Sequence, residues 1–355
     1  MIHASPHAVT SRTTGQIMGL VLLALAPAVL AGFWQFGWPA FILWLVCVVS
    51  CLVCEAACLH WSGKPVLPVL WDGSAVLTAT LLAMSLPPYL PAWLAMLGSV
   101  CAIVLAKQVF GGLGCNLFNP AMVGRTILLV SFPVHMTQWI NPHALTNAMS
   151  FSEALAISFQ GLPIPDALTS ASLLGHVKTE IGRGIDLLDS LQPFTNDSAW
   201  SGARAGSLGE TSALLILAGG LFLAAKRIIG LRIPLGFLLG LAVPAMIAHG
   251  LAPQTYLPAA THLLSGGVML GAFFIATDYV TSPSSPAGQW IFALGAGFLS
   301  WLIRTWGGYP EGVGFAILLM NAIAPLLDLW LRPRIFGRSL TGKSLPARRV
   351  EEGLS

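Results

Sequence analysis

The residues best suited to chemistry lie in a few short runs. Cys47, Cys51, Cys54 and Cys58 step by four, three and four, which puts them on one helix face. A metal cluster is one reading. At a helical rise of about 1.5 Å per residue, however, Cys47 and Cys58 stand about 16 Å apart, too far for one tetrahedral site. Buried thiols also pack as small hydrophobes, so packing is expected and no metal site is. Gly111-Gly112-Leu113-Gly114 precedes Asn119-Pro120. Glycines let a backbone approach a ligand closely, and a helix start offers free N–H groups to anions or polar ring edges. A tight turn without a ligand fits the same residues.

Asp278 ends a short apolar stretch in Ala276-Thr277-Asp278-Tyr279. An ionisable group in a membrane segment is a functional candidate; an exposed carboxylate at a helix end is the alternative. Glu55 and Asp328 lie close to the ends of apolar stretches and are expected to snorkel to the surface. In Asp166-Ala-Leu-Thr169-Ser170-Ala171-Ser172, hydroxyls stand before Leu173-Leu174. By itself that run reads as a helix N-cap or a hydroxyl turn. Ser207-Leu-Gly-Glu210 has the form of a capping box. No residue stands out as a catalytic acid, base or nucleophile.

These residues need elements to hold them, and composition says which. The 355 residues include only 17 Lys and Arg and 14 Asp and Glu, 9% charged against 55% hydrophobic, with mean hydropathy +0.78. Globular domains carry about 25% charged residues. A soluble enzyme and a disordered chain are therefore excluded, and lipid is the solvent. The net charge of +3 is too small and too local for nucleic-acid binding.

Ten apolar stretches are readable, at 17–37, 39–59, 73–86, 92–107, 121–138, 211–225, 233–249, 263–277, 287–304 and 313–331. The third, fifth and eighth are short. A stretch such as 73–86 covers only about two thirds of a hydrocarbon core of about 30 Å. Short or interrupted segments are tolerated in lipid where they line protein or a cavity. Ala26-Pro27-Ala28 imitates a signal-peptide cleavage site, but the length of the first stretch, and the second one directly after it, read as retained spans.

Lys and Arg set the sidedness. Lys64, Lys107, the loop with Lys226, Arg227 and Arg232, and the tail from Arg332 to Arg349 all fall on one side if both termini are cytoplasmic. Loop 250–262 then lies outside without a Lys or Arg, and Arg304 is the one mild exception. The expected organisation is 1–138, a first membrane half; 139–210, an extracytoplasmic segment; 211–331, a second membrane half; and 332–355, a basic cytoplasmic tail. Residues 83–120 resemble 276–321: Trp93 precedes Gly111-Gly112 much as Trp290 precedes Gly307-Gly308, and Asn119 is matched with Asn321. An offset of five spans inverts the second half. The expected fold is thus an all-α polytopic membrane protein with about ten helices in two inverted five-helix repeats, some short or broken.

Six runs in order resemble one family: Asp72-Gly-Ser, Lys107-Gln-Val-Phe-Gly-Gly-Leu-Gly, Asn119-Pro-Ala-Met, Asp166-Ala-Leu-Thr-Ser-Ala-Ser, Gly206-Ser-Leu-Gly-Glu-Thr-Ser and Gly271-Ala-Phe-Phe-Ile-Ala-Thr-Asp. The chain resembles the D subunit of the bacterial Rnf electron-transport complex from about residue 15 to 335. More distantly it is similar to the B subunit of the sodium-pumping NADH:quinone oxidoreductase.

The resemblance implies a flavoprotein subunit of a redox-driven ion translocase in the bacterial inner membrane, incomplete without the other Rnf-type subunits. It implies FMN held as a phosphoester on a hydroxyl side chain, made outside the cytoplasm by a flavin transferase, so that 139–210 is periplasmic. Ser172 is the corresponding residue, Thr169 and Ser170 are the competing hydroxyls, and Asp166 assists recognition or metal binding during transfer. A non-covalent riboflavin is implied in the membrane part, with Gly111 and Gly112 as its candidate site, and Asp278 is the candidate on the ion path. Two departures stand out. The attachment motif ordinarily ends in Thr, and the sodium-pumping relatives carry Glu where this chain has Gln108. The missing carboxylate removes a hard oxygen ligand suited to Na⁺ and favours protons. A channel or permease of the same inverted-repeat fold, without redox cofactor, is the alternative reading.

Overall fold

The computed structural model describes residues 12–140, 149–161, 169–170, 172–191, 205–210 and 212–331. Asp166 and the basic tail lie outside the described residues. Helices dominate, because a backbone in lipid must satisfy its own hydrogen bonds. Five are long and apolar enough to cross a membrane: Thr14–Phe36, Trp38–Trp61, Arg232–Leu251, Pro286–Trp306 and Val313–Trp330. Four shorter apolar helices accompany them, at Ser74–Ser85, Ala92–Gln108, Pro120–Ser131 and Ala213–Ala225. The third and fifth stretches are short, as expected. The eighth is broken into Ala259–Leu264, Val268–Leu270 and Gly271–Ile275. The break falls at Ser265-Gly266-Gly267, where Gly266 has φ +68° and an added Cβ would strike the Arg304 guanidinium.

Two segments widen into π-helix, Cys101–Gln108 and Gly271–Ile275. Such widening marks functional sites more often than plain helix does. Helices Arg232–Leu251 and Pro286–Trp306 touch backbone to backbone: a Cβ on Gly240 would collide with the Leu294 carbonyl, and one on Gly297 with the Phe237 carbonyl. Outside the apolar bundle, helix Phe151–Gln160 is closed by a capping box of Ser150 and Glu153, and Ser172 caps helix Leu173–Gly182. A two-residue antiparallel ladder pairs Trp139 with Ser170 and Ile140 with Thr169, a small addition to an otherwise helical chain.

Several sequence expectations change and others stand. Glu55 does not snorkel: it is 0% exposed and pairs with Lys107 at 2.6 Å. Lys107 is itself buried at the end of its helix, so it is not a loop cation. Arg304, the exception in the charge count, is also buried and paired, and so carries no sidedness signal. Asp328 is held by the backbone N–H and hydroxyl of Ser284, both at 2.9 Å. Cys47 and Cys51 sit in the apolar core, and the described cysteines are all free thiols. Ser207 and Glu210 form no capping box; Ser212 caps helix Ala213–Ala225 instead. Trp93 lies in the first turn of its helix and Trp290 in the second turn of its own, whereas Asn119 is an N-cap and Asn321 lies within a helix.

Ser152 and Gly230 are both exposed, on segments expected from the Lys and Arg distribution to lie on opposite sides. With the native cysteines removed, Ser152→Cys is expected to react with a membrane-impermeant maleimide on intact cells. Gly230→Cys is expected to react only after the cells are opened. Equal labelling of the two would contradict the assigned sidedness.

Candidate functional site

The sequence candidates fall into two places with no lining residue in common. The first is a cavity between the N-terminal and C-terminal helices. Ser74, Lys107, Asn116, Asn119, Phe273 and Asp278 contribute to its wall. Asn119 caps helix Pro120–Ser131 by accepting from Met122 N–H at 3.3 Å. Lys107 Nζ donates to Ser74 Oγ at 2.7 Å while contacting Glu55. Gln108 Nε2 donates to the same Glu55 oxygen at 2.9 Å, and the other oxygen, Oε2, is buried with no partner among the described residues.

Asp278 follows the second π segment and borders this cavity, rather than standing as an exposed helix-end carboxylate. Its two oxygens accept from Val280 N–H and Thr281 Oγ1, each at 3.3 Å. Gly111 and Gly112 line an adjoining shallow cleft with Lys64, Asp72 and Gln108, and Leu113 borders both spaces. Their φ values, +116° and +107°, are ones that side-chain-bearing residues rarely adopt. A Cβ on Gly111 would meet only Cys115 atoms at 3.6 Å, and one on Gly112 only Gln108 Oε1 at 3.8 Å. The turn conformation alone therefore requires glycine there.

The second place contains Ser172. Its side chain accepts from Gly175 N–H at 3.2 Å, the ordinary geometry of an N-cap. Lys178, on the same helix, donates to the carbonyls of Arg304 at 3.1 Å, Tyr309 at 3.3 Å and Gly307. That lysine fastens the Ser172 helix to the loop between the last two long helices, and burial pushes its pKa down. Ser172 opens on a cavity whose wall includes Trp139, Leu264, Glu210 and Glu311.

Glu311 is the electrostatic centre of this region. It pairs with Arg125 of helix Pro120–Ser131, accepts from Gly267 N–H, and lies 3.9 Å from Arg304. Arg304 in turn donates to His262 O at 2.7 Å and Ser265 O at 2.9 Å, which holds the broken eighth segment at its gap. Burial alone would raise the pKa of Glu311; the charges of Arg125 and Arg304 and the Gly267 N–H outweigh it and keep the carboxyl low. Among the described residues, Glu210 has no such cation in contact. Ser207 Oγ donates to it at 2.9 Å, but burial and then the charge of Glu311 push it up to about 7. His262 Nδ1 and Arg304 Nε are buried with no partner among the described residues.

The sequence reading had Ser172 but missed Arg125 and Glu311. The one signal available was Arg125, a charge inside the fifth apolar stretch; Glu311 stands in a short loop that the expected topology puts at the opposite face, so nothing in the sequence paired them. Replacing Glu311 leaves two buried guanidinium groups short of compensation. Glu311→Gln is expected to destabilise the protein by on the order of 3–5 kcal/mol, and the double change Arg125→Met with Glu311→Gln by less. Thermal unfolding in detergent checks this, and additive losses would contradict the pairing.

The NQR2, RnfD, RnfE family model matches residues 1–337. The D subunit of the ion-translocating oxidoreductase complex of Halorhodospira halophila is 46% identical over 349 residues, 98% of each chain. The D subunit of the Stutzerimonas stutzeri complex is 49% identical, over 95% of this chain and 97% of that one. The D subunit of the Escherichia coli complex is 42% identical over 95% and 98%. With a family match over nearly its whole length and relatives this similar end to end, the chain belongs to the NQR2, RnfD, RnfE family.

Proposed function

We propose that this chain is the membrane flavoprotein subunit of an ion-translocating oxidoreductase complex, carrying FMN as a phosphoester on Ser172 on the extracytoplasmic side. The observation that carries the reading is the position of Ser172: it caps a ten-residue helix and faces a cavity with apolar and acidic walls. A helix N-terminus favours a phosphate's negative charge. Gly175 N–H, now bonded to Ser172 Oγ, is placed to serve a phosphate oxygen instead. Trp139, Leu173 and Leu264 offer apolar surface for a ring, so the residues present fit the group. When bound, the flavin supplies one- and two-electron redox chemistry.

The chain's own residues position and insulate. Lys178 holds the Ser172 helix in place, and Arg125, Arg304 and Glu311 fix the loop beneath it. The cavity bordered by Lys107, Asn119 and Asp278 suits a second, non-covalent flavin such as riboflavin, with the Gly111-Gly112 turn beside it. Asp278 is its acidic group, and we place it on the ion path. The ten apolar segments are best read as two inverted five-helix groups, which puts this cavity at the cytoplasmic end and Ser172 outside, in an inner membrane. The other complex subunits and a flavin transferase are the expected partners.

Co-expression with a flavin transferase is expected to give a flavin-fluorescent band on a denaturing gel. Ser172→Ala should abolish it and Ser172→Thr retain it. A band that survives Ser172→Ala would move the attachment to Thr169 or Ser170. A colourless protein that passes solutes through liposomes would instead support the permease reading. For Asp278→Asn, which keeps shape and removes charge, electron transfer by the assembled complex should slow and ion uptake per electron fall. Unchanged ion uptake would take Asp278 off the path.

A further inference from the structure

Two carboxyl groups face the Ser172 cavity, and their surroundings differ sharply. Glu311 touches Arg125, lies 3.9 Å from Arg304 and takes a backbone N–H, so it is held as a carboxylate. Glu210 has one hydroxyl partner among the described residues, Ser207, and it lies near the negative charge of Glu311. The loop is shaped to the Glu210 carboxyl: a Cβ on Gly206 would sit 2.6 Å from Oε2. The capping role suggested by Ser207-x-x-Glu210 belongs to Ser212, so among the described residues no backbone function accounts for this acid. When two acids at one site are driven apart in this way, the paired one stays ionised and the other is available to give and take a proton.

We propose that Glu210 is the proton-exchanging acid of the Ser172 site. The inference rests on the reading that Ser172 carries a flavin. Full reduction of an isoalloxazine takes up two electrons and two protons. The electrons come from the redox centres of the partner subunits. Glu210 gives one proton to the ring and becomes a carboxylate; the second comes from water. Glu210 is then reprotonated from the aqueous side, since it is only partly buried. Oxidation of the ring runs the same steps backwards. The charged groups around Glu210 are Glu311, Arg125 and Arg304; of these, Glu311 favours its neutral form and the two arginines its charged form. The Ser207 hydrogen bond also favours the charged form.

The test is a reductive titration of the covalent flavin in the intact complex, with proton uptake followed across pH. In-gel flavin fluorescence on the same samples reports attachment. In the wild type, the rate of proton uptake that follows flavin reduction should change with an inflection near pH 7. Glu210→Gln should keep the fluorescent band, lose the inflection and slow proton uptake at least tenfold, whereas Glu210→Asp should restore part of the rate. Ser207→Ala, which deletes only a hydroxyl, should move the inflection to higher pH and serves as the deciding variant if Glu210→Gln does not assemble. A fluorescent Glu210→Gln complex with unchanged inflection and rate would overturn the role of Glu210 alone. So would an unmoved inflection in Ser207→Ala. Absence of the band in the wild type would overturn the flavin reading and this inference together.

Discussion

The ion pair between Arg125 and Glu311 joins residues 186 apart in sequence and is the contact on which the rest of this region depends. It ties a short N-terminal helix to the loop between the last two long helices. Through Arg304 the same charges reach the carbonyls of His262 and Ser265 and hold a helix open at its break. Through the Arg304, Gly307 and Tyr309 carbonyls the loop receives Lys178, and with it the helix that Ser172 begins. Charges are costly to bury unless each is paired and hydrogen-bonded. A cluster of this kind therefore tolerates little displacement, and it gives the Ser172 helix a fixed position relative to the bundle.

A second buried pair plays a comparable part at the first cavity. Lys107 joins the π segment Cys101–Gln108 to Glu55 and to Ser74 at the start of another helix. Lys107 and Arg304 each stand fourteen residues after a tryptophan, Trp93 and Trp290, near the ends of helices Ala92–Gln108 and Pro286–Trp306. Lys107 binds the start of a short helix, and Arg304 binds the C-terminal end of the first piece of a broken one. In both places a buried cation stabilises a segment too short to cross a bilayer unaided, and a cavity opens beside it. Short segments leave backbone ends in apolar surroundings, and those ends need polar partners.

The helices were legible because apolar runs of this length have few alternatives in lipid. The positions of the long helices and the short third and fifth segments follow from hydropathy, whereas the eighth was read as short and its break at Ser265-Gly266-Gly267 was not. The N-cap at Ser172 was legible from its hydroxyl and the two leucines after it. Glu55 was misread because its partner Lys107 lies on another helix, and a one-dimensional pattern cannot distinguish a paired internal acid from a snorkelling one. Ser207-x-x-Glu210 was misread for a related reason. A capping box and a direct side-chain pair share that spacing, and only the true helix start, at Ser212, separates them.

The central claim is that the cavity under Ser172 holds a redox ring bound to that side chain. An experimental density map of the assembled complex, purified from cells that contain the flavin transferase, tests it most directly. The account predicts density for one flavin continuous with Ser172 Oγ, its ring bounded by Trp139, Glu210 and Glu311. A map that resolves the Ser172 helix with a bare hydroxyl, or that places the flavin on another residue, would contradict it.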